Sequence, residues 1–354
     1  MTIPPRQEWQ FGRIYTPDDA WLAKAAPEPI LDPELPIVDP HHHLWQRGDH
    51  RYFLDELLAD LSTGHNVVAT VFLECRSMYR ADGPVELRPV GETEFVAGIA
   101  AMSDSGAYGK TGVAAGIVGY ADLTLGDRVE PVLEAHLRAG GGRFRGVRHS
   151  AGWDADPVIG NSRHDMQPHL YRDPGFREGL ARLTRLGLSF DAWLYHPQLA
   201  DVVELARAFP NTNMIMGHVG GVLGYGAYGG ESAEVMPAWR RSMAELAGCP
   251  NVVVKLGGII NRGATYDFHR AATPPSSASL AEVWRPHVET CIELFGPRRC
   301  MFESNFPVDK MAIGYKALWN AFKRIAAGAS PDEKLALFSG TAARVYRLEY
   351  PLGP

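Results

Sequence analysis

Cysteine is scarce in this chain of 354 residues: there are four, Cys75, Cys249, Cys291 and Cys300. None sits in a Cys-x-x-Cys pair. That spacing gives no disulfide framework and no cysteine zinc cluster, so four buried free thiols in a reducing compartment are expected. Long apolar runs are missing too. No stretch reaches the roughly 18 apolar residues that a membrane-crossing helix needs, and the opening MTIPPRQEWQ has no apolar segment of a signal peptide. There is no Lys/Arg-rich run, and the formal net charge is -6. Nucleic-acid binders carry a basic face, so a nucleic-acid partner is not expected. No Gly-x-Gly-x-x-Gly follows the first strand pattern, which removes the commonest dinucleotide signature. These absences leave a soluble cytoplasmic protein with a small-molecule partner and no membrane or nucleic-acid partner. A homo-oligomer stays open.

What is present is an ordinary globular composition, 45% hydrophobic and 21% charged. Residues 1–35 are rich in proline and polar groups and read as an N-terminal arm. From residue 36 to 354 one pattern repeats. A short apolar or β-branched run ends in polar residues, and an amphipathic stripe follows. The strand runs are 36–43, 67–74, 114–120, 144–149, 188–194, 213–218, 252–256 and 299–304. Helical stripes cover 129–139, 200–209, 280–295 and 315–327, and an extra helix spans 332–346. Asp173-Pro174 marks a helix start, and Phe176, Leu180 and Leu183 fall on one face before Gly187. Eight alternating units argue for a parallel sheet closed into a (β/α)8 TIM barrel. Long irregular stretches at 77–90 and 150–172 and a glycine-rich run at 220–230 follow strands two, four and six. All three belong on the C-terminal face, where such barrels place their active sites.

The densest segment is Val38-Asp39-Pro40-His41-His42-His43-Leu44-Trp45. Strand side chains alternate between faces. His41 and His43 therefore point the same way, with Asp39 one layer below, and His42 points toward the helices. Two imidazoles at i, i+2 on a strand end can share one metal ion.

Asp-x-His-x-His-x-Trp resembles the opening motif of the amidohydrolase-related family, in its branch of lactonases and pyrone-dicarboxylate lactonases. Further motifs follow in order. Phe144 to His149 resembles the family's fourth-strand Gly-(Ile/Val)-Arg. Met216 to Gly221 resembles its sixth-strand His-x-Gly. Met301 to Val308 resembles its eighth-strand Phe-Gly-Ser-Asp-Trp-Pro, and Gly340 to Arg344 its closing Asn-Ala-x-Arg helix. The resemblance implies that His41, His43 and His218 are metal or oxyanion positions. It implies that Arg148 binds a substrate carboxylate, which suits the parallel donors of a guanidinium. His149 is a neighbouring candidate for the same role. His196, after the fifth strand, is a candidate ligand or substrate contact. Trp45, Tyr195 and Trp153 are candidates for an aromatic wall.

One position departs from the family pattern. Asn305 stands where the family has an Asp that binds metal and acts as general base. An amide accepts no proton at neutral pH. Glu303, two residues earlier on the same strand face, stands where the family has Gly. It is the candidate replacement carboxylate, with a pKa expected to be raised by burial, and Asn305 is a hydrogen-bond donor beside it. Asp309 is a second candidate base. Glu74 is expected either to line the site or to pair with Arg76, and Lys255 is expected to snorkel outward. The expected function is hydrolysis of a lactone or related cyclic ester of a small acidic substrate by activated water, with His218, Glu303 and Asn305 as catalytic residues. The alternatives are a metal-dependent decarboxylase of an aromatic acid, or a binding protein that lost catalysis through Asn305. At most one divalent ion is expected, with zinc preferred because imidazole ligands suit it better than magnesium or calcium; a metal-free site is the other case.

Overall fold

Eight short apolar runs become eight parallel strands in sequence order, each hydrogen-bonded to the next. In the computed structural model, which describes residues 5–8, 12–163, 166–229, 234–262 and 267–349, they are β1 (Ile37–His42), β2 (Val67–Leu73), β3 (Gly112–Gly119), β4 (Phe144–Arg148), β5 (Ser189–Ala192), β6 (Met214–Met216), β7 (Val252–Leu256) and β8 (Cys300–Phe302). The chain just beyond β8 closes the ring onto β1. Asn305 N–H donates to His41 O at 2.9 Å, and His43 N–H donates to Phe306 O at 2.8 Å. The result is a nearly closed (β/α)8 barrel, as the alternating pattern implies.

Helices α1 (Leu54–Leu61), α2 (Val90–Asp104), α3 (Glu130–Ala139), α4 (Pro174–Arg185), α5 (Leu199–Ala208), α6 (Val235–Ala247), α7 (Ser277–Phe295) and α8 (Tyr315–Ile325) surround the strands. α4 shows why they form. The Asp173 carboxylate accepts from Phe176 N–H at 2.8 Å, Pro174 fills the first turn, and Phe176, Leu180 and Leu183 are fully buried against the sheet. Burial of each such side chain is worth about 1.5–3 kcal/mol. Among the described residues, no helix is long and apolar enough to cross a membrane. All four cysteines are free and buried.

The inside of the barrel is packed. Val38, Val71, Ile215 and Met301 meet Ala342, Val345 and Tyr346 from the C-terminal segment in one apolar cluster. That segment is the helix expected over 332–346, with a π turn inside it. It runs as Pro331–Leu335, a π turn at Ala336–Gly340, and Thr341–Tyr346. The N-terminal arm lies on the barrel: Trp21 is buried and its indole donates to Ala271 O at 2.8 Å. Of the irregular stretches on the C-terminal face, residues 164–165 and 230 lie outside the described residues, as do 1–4, 9–11 and 350–354.

Candidate active site

The site grows from β1, where the pleat is interrupted. Val38 packs inside the barrel, and the pairing register with β2 shifts between Asp39 and His42. Asp39 therefore does not sit beneath His41, as strict alternation requires. Its carboxylate accepts from Ser304 N–H at 3.0 Å and from the Tyr315 hydroxyl of α8 at 3.0 Å. It fastens β1 to the end of β8 and to the helix layer. Burial pushes its pKa up to about 6, against those hydrogen bonds.

His41, His43 and His218 converge. The His41 ring centroid lies 4.9 Å from that of His43 and 4.8 Å from that of His218. Beneath them is Glu303, fully buried. Its Oε2 accepts from His41 Nδ1 at 2.5 Å and its Oε1 from His218 Nδ1 at 2.7 Å. The His218 backbone N–H also donates to Oε1, at 3.1 Å. That bond depends on the backbone after β6: His218, Val219, Gly220 and Gly221 all have positive φ. The ring leaves no room behind it. A Cβ on Gly258 would lie 1.9 Å from His218 Nδ1, so a glycine is required there.

The expected rise in the Glu303 pKa is reversed. Burial alone raises it, but the His218 and His41 imidazoles hold the carboxyl well below the usual range. Glu303 is therefore a saturated anion that aims two imidazoles, not a carboxylate free to take a proton from water. Burial holds His41 and His43 well below the ordinary histidine value, so both rings are neutral. Their tautomers follow from their partners. His41 donates through Nδ1 to Glu303, and His43 donates through Nδ1 to the Leu73 carbonyl at 2.9 Å. Both Nε2 atoms then carry an unprotonated lone pair, that of His41 facing Arg148 Nη1 at 3.4 Å. A carboxylate behind an imidazole is the usual outer support of a metal-binding histidine. His41, His218 and Glu303 together offer ligand atoms within 4.8 Å of one another. Because both Glu303 oxygens already accept imidazole protons, the donors open to an ion are the Nε2 atoms. This set fits a divalent metal.

A cavity of about 310 Å³ opens over these rings. His43, His218, Asn305, Arg148, Tyr195 and Glu74 line it. Asn305 has a positive φ of 55°, and its Nδ2 donates to Asp309 Oδ1 at 2.8 Å. Asp309 is buried, and burial raises its pKa well above the carboxylate range. Glu74 pairs with Arg148 (Nε to Oε1, 2.9 Å) and not with Arg76. Tyr195 donates its hydroxyl to Gly160 O at 3.0 Å.

Three expected substrate contacts stand elsewhere. His149, one step beyond Arg148, faces the helix layer: its ring packs on Phe176 of α4 and its Nδ1 accepts from Leu123 N–H at 3.3 Å. His196 is turned toward the chain after β6, where its Nδ1 accepts from Leu223 N–H at 3.2 Å and its ring meets Tyr228. Trp45 is stacked behind His43, with ring centroids 5.6 Å apart, and does not line the cavity. Lys255 also differs from expectation. It points into the barrel, where its Nζ meets Asp191 Oδ1 at 3.0 Å and Pro40 O at 2.9 Å. A buried ammonium is tolerable there because a carboxylate and a carbonyl both face it. Tyr346 donates to the same Asp191 oxygen at 2.7 Å. Sequence reasoning missed Trp193 and Arg47, which line the cavity. The signal for Trp193 was its shared parity with Tyr195, two residues on.

Known proteins resemble this chain in sequence and fold. The family profile described as amidohydrolase matches residues 38–348. The chain is 34% identical over 337 residues to the uncharacterized protein y4mH of Sinorhizobium fredii, covering 89% of this chain and 99% of that one. It is 29% identical over 242 residues to an L-fucono-1,5-lactonase of Burkholderia multivorans, covering 67% and 73%. Its fold is similar to the crystal structure of an amidohydrolase from Burkholderia multivorans with bound zinc, at 25% identity and a TM-score of 0.68, covering 88% and 99%. With its motifs in order on the strands of one barrel, the chain belongs to the amidohydrolase family and is an enzyme of that family's hydrolase type.

Proposed function

We propose that the enzyme hydrolyses the lactone of a small, sugar-derived acid. The observation that carries this reading is the pair of hydrogen bonds that fix His41 and His218 on Glu303 below a polar cavity. The similarity to an L-fucono-1,5-lactonase supports the substrate class. His218 is the base. Its Nδ1 is held by Glu303, its ring lines the cavity, and Nε2 is the atom left to take a proton from water. The ionised Glu303 stabilises the imidazolium that forms, as a buried carboxylate does behind a catalytic histidine. That proton then passes from Nε2 to the leaving alkoxide as the ring opens. Asn305, locked by Asp309, positions water or substrate from the cavity wall.

One divalent ion, zinc by preference, is held by His41 and His43 in this reading. Bound there, it would supply a Lewis acid toward the substrate carbonyl oxygen. Arg148 lies beside this pair, with Nη1 donating to His41 Nε2 at 3.4 Å. A fixed cation so close opposes any ion at this pair and a second ion above all.

Purified protein is tested against a panel of sugar lactones and aromatic acids. Acid release from a lactone is expected. Carbon dioxide release from an aromatic acid, or no turnover of any member, overturns the reading.

A further inference from the structure

The cavity lining carries three guanidiniums, Arg47, Arg76 and Arg148, and one carboxylate, Glu74. The three cations are not equivalent. Arg148 is committed: Nε donates to Glu74 Oε1 at 2.9 Å, Nη2 to the Glu74 carbonyl oxygen, and Nη1 to His41 Nε2 at 3.4 Å. Its charge is matched by Glu74, and its side chain is only 13% exposed.

Arg47 is held without being neutralised. Its guanidinium lies over the Trp45 ring, 4.1 Å from the centroid, and Nη2 donates to the Cys75 carbonyl oxygen at 2.6 Å. The indole face and the carbonyl fix the plane of the group at little entropic cost to a later partner. Among the described residues, no carboxylate pairs with it, and Nε and Nη1 have no hydrogen-bond partner. Arg76 follows Cys75 directly. It adopts a positive φ of 61°, is exposed, and has neither a hydrogen bond nor an ion pair among the described residues. Residues other than glycine seldom adopt the left-handed region. Here that backbone places a second unmatched cation at the same rim as Arg47.

We propose that the anionic group of the substrate docks on Arg47 and Arg76, at the rim formed beyond β1 and β2, and not on Arg148. Arg148 serves as a positioning residue that bridges Glu74 and the His41 imidazole. The assignment rests on the lactone reading for the substrate's chemistry, and it reassigns the carboxylate contact that family resemblance gives to Arg148. It also explains Trp45: the indole does not line the cavity but stacks on His43 and carries Arg47. The substrate class it selects is a lactone with a free carboxylate, such as a monolactone of an aldaric acid.

The test compares glucaro-lactone with its methyl ester in the wild type, Arg47→Gln, Arg76→Gln and the double variant. The wild type is expected to prefer the acid by kcat/KM, and the preference is expected to fall about 10–100-fold in the double variant, through KM. Arg47→Lys keeps the charge but loses the fork, and is expected to recover only part of the preference. A binding measurement separates this inference from the lactone reading. Open-chain glucarate should raise the melting temperature of the wild type and not of the double variant, whether or not any lactone is turned over. An acid preference that survives the double substitution, or a glucarate shift lost in Arg148→Gln and kept in the double variant, overturns the assignment. Turnover failure with an Arg47-dependent glucarate shift overturns only the lactone reading.

Discussion

His41 Nε2 and His43 Nε2 stand 3.3 Å apart, and neither has a proton to offer the other. Each ring already donates through Nδ1, to Glu303 and to the Leu73 carbonyl. Two facing lone pairs repel unless a cation lies between them. Zinc–imidazole bonds of about 2.0–2.1 Å at a tetrahedral angle separate the two nitrogens by about 3.3–3.4 Å. The rings therefore sit at the spacing of two ligands of one ion.

Metal analysis after dialysis against zinc should find about one ion per chain. His41→Gln and His43→Gln should each lower occupancy at least about tenfold, because either change leaves one of the two imidazole ligands, which cannot hold an ion tightly alone. Two tightly held ions per chain would contradict this, since Glu303, the carboxylate that touches His41 and His218, has both oxygens taken.

Glu303→Gln should lower kcat by about 10²–10⁴-fold. A glutamine presents one acceptor and one donor where the two Nδ1–H groups need two acceptors. One imidazole must then change tautomer, turning a proton instead of a lone pair toward the cavity. Circular dichroism should show an intact fold, and bound metal should fall with kcat. Full turnover in this variant would remove Glu303 from the mechanism and leave Asp309 as the next carboxylate to test.

Asn305→Asp is expected to tighten metal binding and to lower thermal stability at alkaline pH. The substitution restores a carboxylate at the cavity wall but sets it 2.8 Å from Asp309, where an amide donor now stands. Two buried carboxylates at that distance cannot both ionise cheaply. The loss in melting temperature should therefore be small at pH 5 and larger at pH 9. An equal loss at both pH values would mean that the acidic pair is not what destabilises the variant.

The barrel and the first-strand histidines were legible because both rest on local periodicity. What escaped depends on long-range partners or on broken periodicity. Lys255 reads as costly inside a barrel until Asp191, from β5, is placed against it. Glu303 reads as a carboxyl raised by burial until His218, 85 residues away in sequence, is set on it. Asp39 obeys strand alternation on paper, but the register shift before His42 moves it to the other face. His149 and Arg148 are adjacent, and parity alone does not tell which one faces the cavity.

Glu92, on α2, gives the protein a stability that falls as pH rises. Its Oε1 accepts from Cys75 N–H at 3.0 Å and Ser77 N–H at 2.7 Å, so it shapes the chain leaving β2 toward Glu74 and Arg76. Burial first, and the nearby Glu74 carboxylate second, raise its pKa from 4.5 to about 8. A folded pKa above the unfolded one means that the folded protein binds more protons between those values. The contribution is complete below about pH 4.5 and is lost as pH climbs through about 8. Glu92→Gln keeps the Oε1 acceptor and removes the titration. Its amide hydrogens fall where Oε2 has no partner among the described residues, so the variant starts less stable at pH 5, by about 1–3 kcal/mol. Its unfolding free energy should nevertheless change less between pH 5 and 9 than that of the wild type. Urea melts at both pH values measure the difference, and parallel pH slopes for the two proteins would show that Glu92 does not titrate in this window.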